Sequence, residues 1–388
     1  GGPPVDHGGP MRFAFSEEQE MLRATARRFL NDKAPTTVVR RLMETDAGFD
    51  TGLWAEIAAQ GWQAMAVPEE FGGAGYGIVE QGILMEEMGR TLFPAPFLSA
   101  VVLGADLILR LGTAEQRKEL LPDVASGERR PALAQLEASG RWGSEGIVMT
   151  VPRSGGDLIL TGTKSFVIDG HTADTLLVVV RAEGSIGADG VSVVVVDATA
   201  PGISRGRVET MDMTRKQAEV RFDQVRVPRS AILGEEGSAW PILDEVNIRA
   251  AVALAFEQVG GAERCLEMAV TYAKDRVQFG RPIGSFQAIK HKCADMLVRV
   301  EGAKSAAYHA GWAAAADDPD LAVAAPLAKS YCSEAYFFCA AESIQVHGGI
   351  GFTWEHDAHL YLKRAKTDEL LFGTPAQHRE RLAVQLGF

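Results

Sequence analysis

The sequence predicts an α+β chain in three blocks: helices, then short strands, then a helical bundle. Three observations carry this. Apolar residues recur at helical spacing up to about residue 130, β-branched runs broken by Gly, Asp and Pro fill 131 to 235, and long stripes of three-and-four spacing follow residue 238. The expected divisions are residues 1–10, an expression scar, 11–130, an N-terminal helical domain, 131–235, a central β-sandwich or barrel domain, and 236–388, a C-terminal four-helix-type bundle. With 388 residues, 46% of them hydrophobic and 23% charged, the chain can bury a large core without disulfides or metals.

The opening Gly1–Pro10 has neither the basic start nor the apolar middle of a signal peptide. In the first block Ser16 with Gln19 three residues later has the spacing of a capping box. Segments Trp54–Ala66, Ile78–Gly89 and Phe97–Leu111 repeat the helical period, interrupted by the glycine-rich loop Pro68–Gly77. In the middle block the runs Asp157–Thr161, Thr175–Val180, Val191–Val196 and Ala218–Phe222 have the length and composition of strands. Strand–helix alternation and a GxGxxG are both absent, which argues against a doubly wound nucleotide-binding sheet. In the last block Ile248, Val252, Ala255, Val259, Ala262, Leu266 and Ala273 form one stripe. Phe286, Ile289, Cys293, Met296, Val300, Ala303 and Ala307 form a second. Such stripes are either one chain's core or surface for an oligomer.

The net charge, 39 basic minus 51 acidic residues or −12, argues against a nucleic-acid partner or an anionic-membrane binder. No apolar run has membrane-spanning length. The cysteines Cys265, Cys293, Cys332 and Cys339 lie among apolar helical residues without a CxxC pair or zinc spacing. Free thiols, no metal site and a cytoplasmic location are therefore expected.

Two strings could carry chemistry. Tyr272–Gln287 ends one apolar helix, turns and starts another, and Arg276 just before the turn offers a planar fork of donors to a phosphate. Most helix-end arginines are simply solvated charges. In Ile344–Phe352, Gly348 and Gly349 let backbone N–H groups approach an anion and Gln345 adds an amide, although a lone Gly-Gly is usually a turn. His347 alone reads as a satisfied core histidine.

Together these strings resemble the acyl-CoA dehydrogenase flavoproteins. The match is carried by Arg276-Val-Gln-Phe279, Phe286-Gln287, Gln345-Val-His-Gly-Gly349 and Gly162–Asp174, and runs from Phe15 almost to the C-terminus. The resemblance implies FAD bound between two subunits. Arg276, Phe279, Gln287, Gln345, Gly348 and Gly349 would reach the pyrophosphate and adenosine of a flavin whose ring belongs mainly to the neighbour. Thr374 and, more weakly, Phe166 would contact a flavin.

Desaturating a thioester needs a carboxylate to take the α-proton while flavin N5 accepts the β-hydride. The family carries that Glu either just before the Gly-Thr pair or on the first long helix of the last domain. The matching residues here are Phe372 and Ala250, and neither accepts a proton. Ring-edge hydroxyl positions of the family fall on Leu136 and Ile168. This pattern resembles the base-lacking subunit of the α2β2 acyl-CoA dehydrogenases of bacterial sterol side-chain degradation, so a homologous catalytic subunit is the implied partner and holds most of the acyl-CoA. Two alternatives stand beside it. One is a self-sufficient homotetramer with a relocated base, Glu257 first, then Asp368 or Glu369, each of which otherwise reads as a surface carboxylate. The other is a flavin-free scaffold.

Overall fold

The computed structural model describes residues 15–152 and 156–388, so the expected scar at 1–10 lies outside the described residues. Six helices come first: α1 (Glu17–Lys33), α2 (Thr36–Met43), α3 (Thr51–Ala59), α4 (Ile78–Thr91), α5 (Asp106–Leu111) and α6 (Ala114–Ala125). Ser16 caps α1 with both bonds of the capping box. Two segments differ from the sequence expectation. The helix expected over 54–66 stops at Ala59, and a wide π-helical turn over Leu98–Ala105 runs into α5 in place of one α-helix from Phe97. All eight residues of that π segment are buried, so periodicity alone could not distinguish it from an α-helix.

The middle of the chain forms two sheets. One holds β1 (Pro131–Ala134), β4 (Thr175–Ala182) and β2 (Thr150–Val151) in parallel, with β5 (Val191–Asp197) antiparallel to β4. The other is antiparallel, β3 (Leu158–Ile168), β7 (Gln217–Val227), β6 (Ile203–Val208). Leu176, Val178 and Val180 face the core shared by the two sheets, whereas Leu177 and Val179 join the core of the helices. That double burial explains the unbroken apolar run of β4, which has no solvent face to make polar. The short β1 and β2 and the polar β6 carry no alternation that sequence could detect.

The last block holds α7 (Trp240–Asp275), a hairpin β8 (Val277–Gln278) and β9 (Arg281–Pro282), then α8 (Gln287–Ala315), α9 (Leu321–His347), α10 (Ala358–Leu370) and α11 (Pro375–Gln385). The central part of α7, from Ala250 to Ala262, is buried on every side. Val252, Ala255, Val259, Ala262, Met296, Val300, Ala303 and Ala307 are all buried within this one chain, so most of both stripes is core and is not available to a second subunit. Helix α4 crosses α7 at glycines. A Cβ on Gly89 would lie 2.1 Å from the Glu257 carbonyl oxygen, and one on Gly260 would lie 1.8 Å from that of Glu86. Because both obstacles are backbone, Gly260→Ala is expected to force the helices apart. A loss of about 1–3 kcal/mol is expected, read as a lowered apparent Tm without loss of helical signal at low temperature. Among the described residues no helix is long and apolar enough to cross a membrane.

Candidate functional site

A cleft of about 490 Å³ opens where the β domain meets the end of α10. Its walls include Leu136 and Trp142 after β1, Phe166 on β3, Met211 between β6 and β7, and Leu371 and Thr374 from the last helices. Phe166 reaches it because the β3–β7 register shifts between Lys164 and Val167, and the extra residues put Phe166 at φ 52°, 47% exposed. Thr374 is the N-cap of α11, and its hydroxyl oxygen accepts from the Gln377 amide.

The corner before Thr374 is tightly bent, with Phe372 at φ 59° and Gly373 at φ 106°. Lys329, wholly buried on α9, donates to the carbonyls of Asp368 at 2.9 Å and of Glu369 and Gly373 at 3.3 Å. Its ammonium thereby satisfies the open carbonyls at the end of α10. Burial lowers its pKa to about 8. A lysine inside an apolar helical run was the one sequence signal for this anchor, and periodicity did not reveal it.

Both residues that match the family's base positions by resemblance lie inside the fold. Phe372 is 6% exposed with its ring centroid 5.1 Å from that of Trp142, and Ala250 is fully buried in α7. Leu136 and Ile168 are buried too and offer the cleft no hydroxyl.

The expectation for Glu257 is overturned. It is neither a free base nor a surface carboxylate, since its Oε1 accepts from Arg364 at 2.6 Å and its Oε2 from Arg215 at 2.6 Å, all within the protein interior. Arg364 also donates to Asp212 at 2.8 Å and Thr214 at 2.6 Å, and Arg215 to Asp368 at 2.7 Å. Burial alone would raise the Glu257 pKa, but the two guanidiniums outweigh it and hold the carboxyl below its ordinary value. Asp368 is likewise no surface group. It is fully buried, and burial followed by the Glu257 charge pushes its pKa up. Glu369 is partly exposed and paired with Lys366 at 3.0 Å. This network joins the β6–β7 loop to α7 and α10, and no sequence-local pattern announces it.

The other sequence-derived candidates gather elsewhere. Arg276 caps the C-terminus of α7 and is exposed, with no carboxylate partner among the described residues. Phe279 and Gly280, at φ 52° and 77°, form the two-residue tip of the β8–β9 hairpin, where both positions need positive φ. The Phe279 ring is 92% exposed, an unusual position for an aromatic side chain in an uncovered chain. Gln287 opens α8, Gln345 lies in the last turn of α9, and Gly348 and Gly349 follow it; all four are exposed. The ends of α7 and α9 meet there, since the Tyr272 and His347 ring centroids are 4.5 Å apart.

None of these six lines the cleft. The cleft is at the C-terminal end of α10, whereas His356 and Asp357, just before its N-terminus, adjoin the α9 end, so the length of that helix, roughly 20 Å, separates the two groups. A bound FAD can be tested against both. The exposed, unpaired Arg276 with the open Gly348–Gly349 backbone suits a diphosphate, because no atom lies within 4 Å of a Cβ built on either glycine. The cleft offers an apolar floor and Phe166 for a ring, with Thr210, Gln217 and Thr374 as polar groups on its walls but no hydroxyl at Leu136 or, buried behind it, Ile168. The residues for the tail fit FAD, and those for the ring edge fit it poorly.

Comparison with known proteins covers the whole length of the fold. Profiles described as the N-terminal, middle and C-terminal domains of acyl-CoA dehydrogenase match residues 16–128, 140–225 and 248–387. Acyl-CoA dehydrogenase IpdE2 of Mycolicibacterium smegmatis is 35% identical over 375 residues, 96% of this chain and 100% of that protein. Among solved structures, a single-substitution variant of the steroid acyl-CoA dehydrogenase Tcur3481-Tcur3483 superposes with a TM-score of 0.84 at 32% identity, covering 95% of this chain and 98% of that one. The ChsE4-ChsE5 complex from Mycobacterium tuberculosis superposes with a TM-score of 0.86 at 26% identity, covering 97% and 99%.

Proposed function

This chain belongs to the acyl-CoA dehydrogenase family, whose cofactor is FAD, and from that premise we propose that it is the non-catalytic subunit of a heteromeric, FAD-dependent dehydrogenase of a bulky steroid acyl-CoA thioester. One observation carries the reading: both base positions are apolar and packed, while the residues suited to a dinucleotide tail lie exposed at the far end of α10. The Tcur3481-Tcur3483 structure is described as a steroid enzyme, and ChsE4-ChsE5 is described as a complex; the two likenesses support a steroid substrate and a homologous partner.

Bound FAD would supply a hydride acceptor for desaturation of the thioester. Arg276 would pair with the diphosphate beside the open Gly348–Gly349 backbone, and Gln345 and Gln287 would orient the adenosine half. Phe279 inserts its exposed ring into the partner surface and leaves water behind. Phe372 and Trp142 keep this chain's own base position dry and without a proton acceptor, so proton abstraction falls to the partner. Ile168 and Leu136 add no hydrogen bond to a ring in this chain's cleft.

The reading is tested by expressing the chain alone and with its genomic neighbour, then assaying desaturation of a steroid side-chain CoA thioester with an artificial electron acceptor. Turnover is expected from the pair and not from the lone chain. A lone chain that desaturates at the rate of the pair would end the proposal, and a colourless pair would favour a scaffold.

A further inference from the structure

The proposed tail site is built from segments distant in sequence. Arg276 ends α7, and Gly348–Gly349 follow α9. Nothing packs at the positions where those glycines would carry a Cβ, so beyond the bonds from the Gly348 N–H to the Ile344 and Gln345 carbonyls no side-chain contact of their own fixes their place. The neighbouring Gly351 does pack, its Cβ position lying 3.0 Å from the His347 side chain. His347 is the last residue of α9 and the direct neighbour of Gly348.

Three rings join these segments. Tyr272, one turn before Arg276 on α7, has its ring centroid 4.5 Å from that of His347. His347 is in turn 4.2 Å from His356. His347 Nδ1 lies 2.6 Å from the Ser343 carbonyl oxygen, which can only accept, so Nδ1 carries the proton. His356 Nδ1 accepts from the Ala358 amide at 3.1 Å, and Arg40 of α2 donates to the His356 carbonyl and to Asp357, both at 2.8 Å. The row of rings is thus anchored at one end to α7 and at the other to the N-terminal domain. Burial lowers the pKa of both imidazoles, His356 lowers that of His347 further and Arg40 that of His356, which favours the uncharged rings that touch without repulsion. The ionisable groups that bear on His356 and its neighbour His359 are Arg40, Asp357 and Lys363.

We propose that His347 is a positioning residue of the tail site, held between Tyr272 and His356 so that the Gly348–Gly349 turn stays at the distance from Arg276 that one diphosphate spans. This rests on the reading that Arg276 and Gly348 hold the FAD tail. The two can be separated by titrating the flavin-depleted complex with FAD and with riboflavin, which keeps the ring and lacks the tail. Arg276→Ala serves as the reference for loss of the tail. His347→Ala and Tyr272→Leu are expected to weaken FAD about tenfold and to change riboflavin by less than about twofold. His347→Phe keeps a ring in place and is expected to bind FAD like the wild type. The inference is overturned if His347→Ala binds FAD normally, if it weakens FAD and riboflavin equally, or if His347→Phe is as weak as His347→Ala. If Arg276→Ala itself leaves the FAD-to-riboflavin ratio unchanged, the reading of the tail site falls and takes this inference with it; if only Arg276→Ala lowers the ratio, this inference falls alone.

Discussion

Arg276→Ala is expected to strip FAD from the complex while leaving this chain folded. In the isolated chain the side chain is exposed and unpaired among the described residues, so its removal breaks nothing in the fold. In the assembled complex the same guanidinium would be buried against a diphosphate. Truncating one partner of such a buried charge pair costs about 2–5 kcal/mol, roughly 30-fold to several-thousand-fold in Kd. Equilibrium dialysis of the complex measures the loss, and circular dichroism checks that helix content is unchanged. Retained flavin with full affinity would mean that the tail runs elsewhere, leaving Arg276 a solvated helix-end charge.

The opposite pattern is expected at Arg364, which touches no proposed ligand. It is buried, donating to Glu257 at 2.6 Å, Asp212 at 2.8 Å and Thr214 at 2.6 Å. Arg364→Met would leave Asp212 without its guanidinium and Glu257 and Asp368 to share Arg215 inside the protein. Breaking a buried pair in this way costs about 3–5 kcal/mol, because an uncompensated charge remains in a medium that solvates it poorly. The apparent Tm should fall by several degrees and the yield of soluble chain should drop. Glu257→Gln tests the same network from the other side. It should lower stability, yet the fraction that assembles should turn over substrate at the wild-type rate. A normal Tm with abolished turnover would reinstate Glu257 as a base.

These two arginines illustrate how much of the molecule was legible in its sequence. Arg276 lies in a contiguous string whose residues act together locally, so spacing and resemblance both pointed to it. Arg364 acts with Asp212 and Glu257, more than a hundred residues away along the chain, and no periodicity reports a contact of that kind. The three blocks could be read because helices and half-buried strands impose periods of 3.6 and 2 on apolar residues. That signal fails where burial is complete. The π-helical turn at Leu98–Ala105 and the central part of α7 are buried on every side, so neither the widened turn nor the glycine crossing of α4 on α7 could be read from periodicity. In the candidate site, Phe372 and Ala250 were legible as departures from the family pattern. What fills the space, Phe372 against Trp142 and the corner gripped by Lys329, required coordinates.

The proposed complex divides its labour: this chain grips the tail of a flavin whose ring and base belong to its companion. Counting flavins in the purified complex tests it most directly, by absorbance of released FAD against total protein. One FAD for every two chains, about half per chain, is expected if each site takes one chain of each kind. One FAD for every chain would contradict it, because the cleft between Phe166 and Thr374 would then hold a ring of its own.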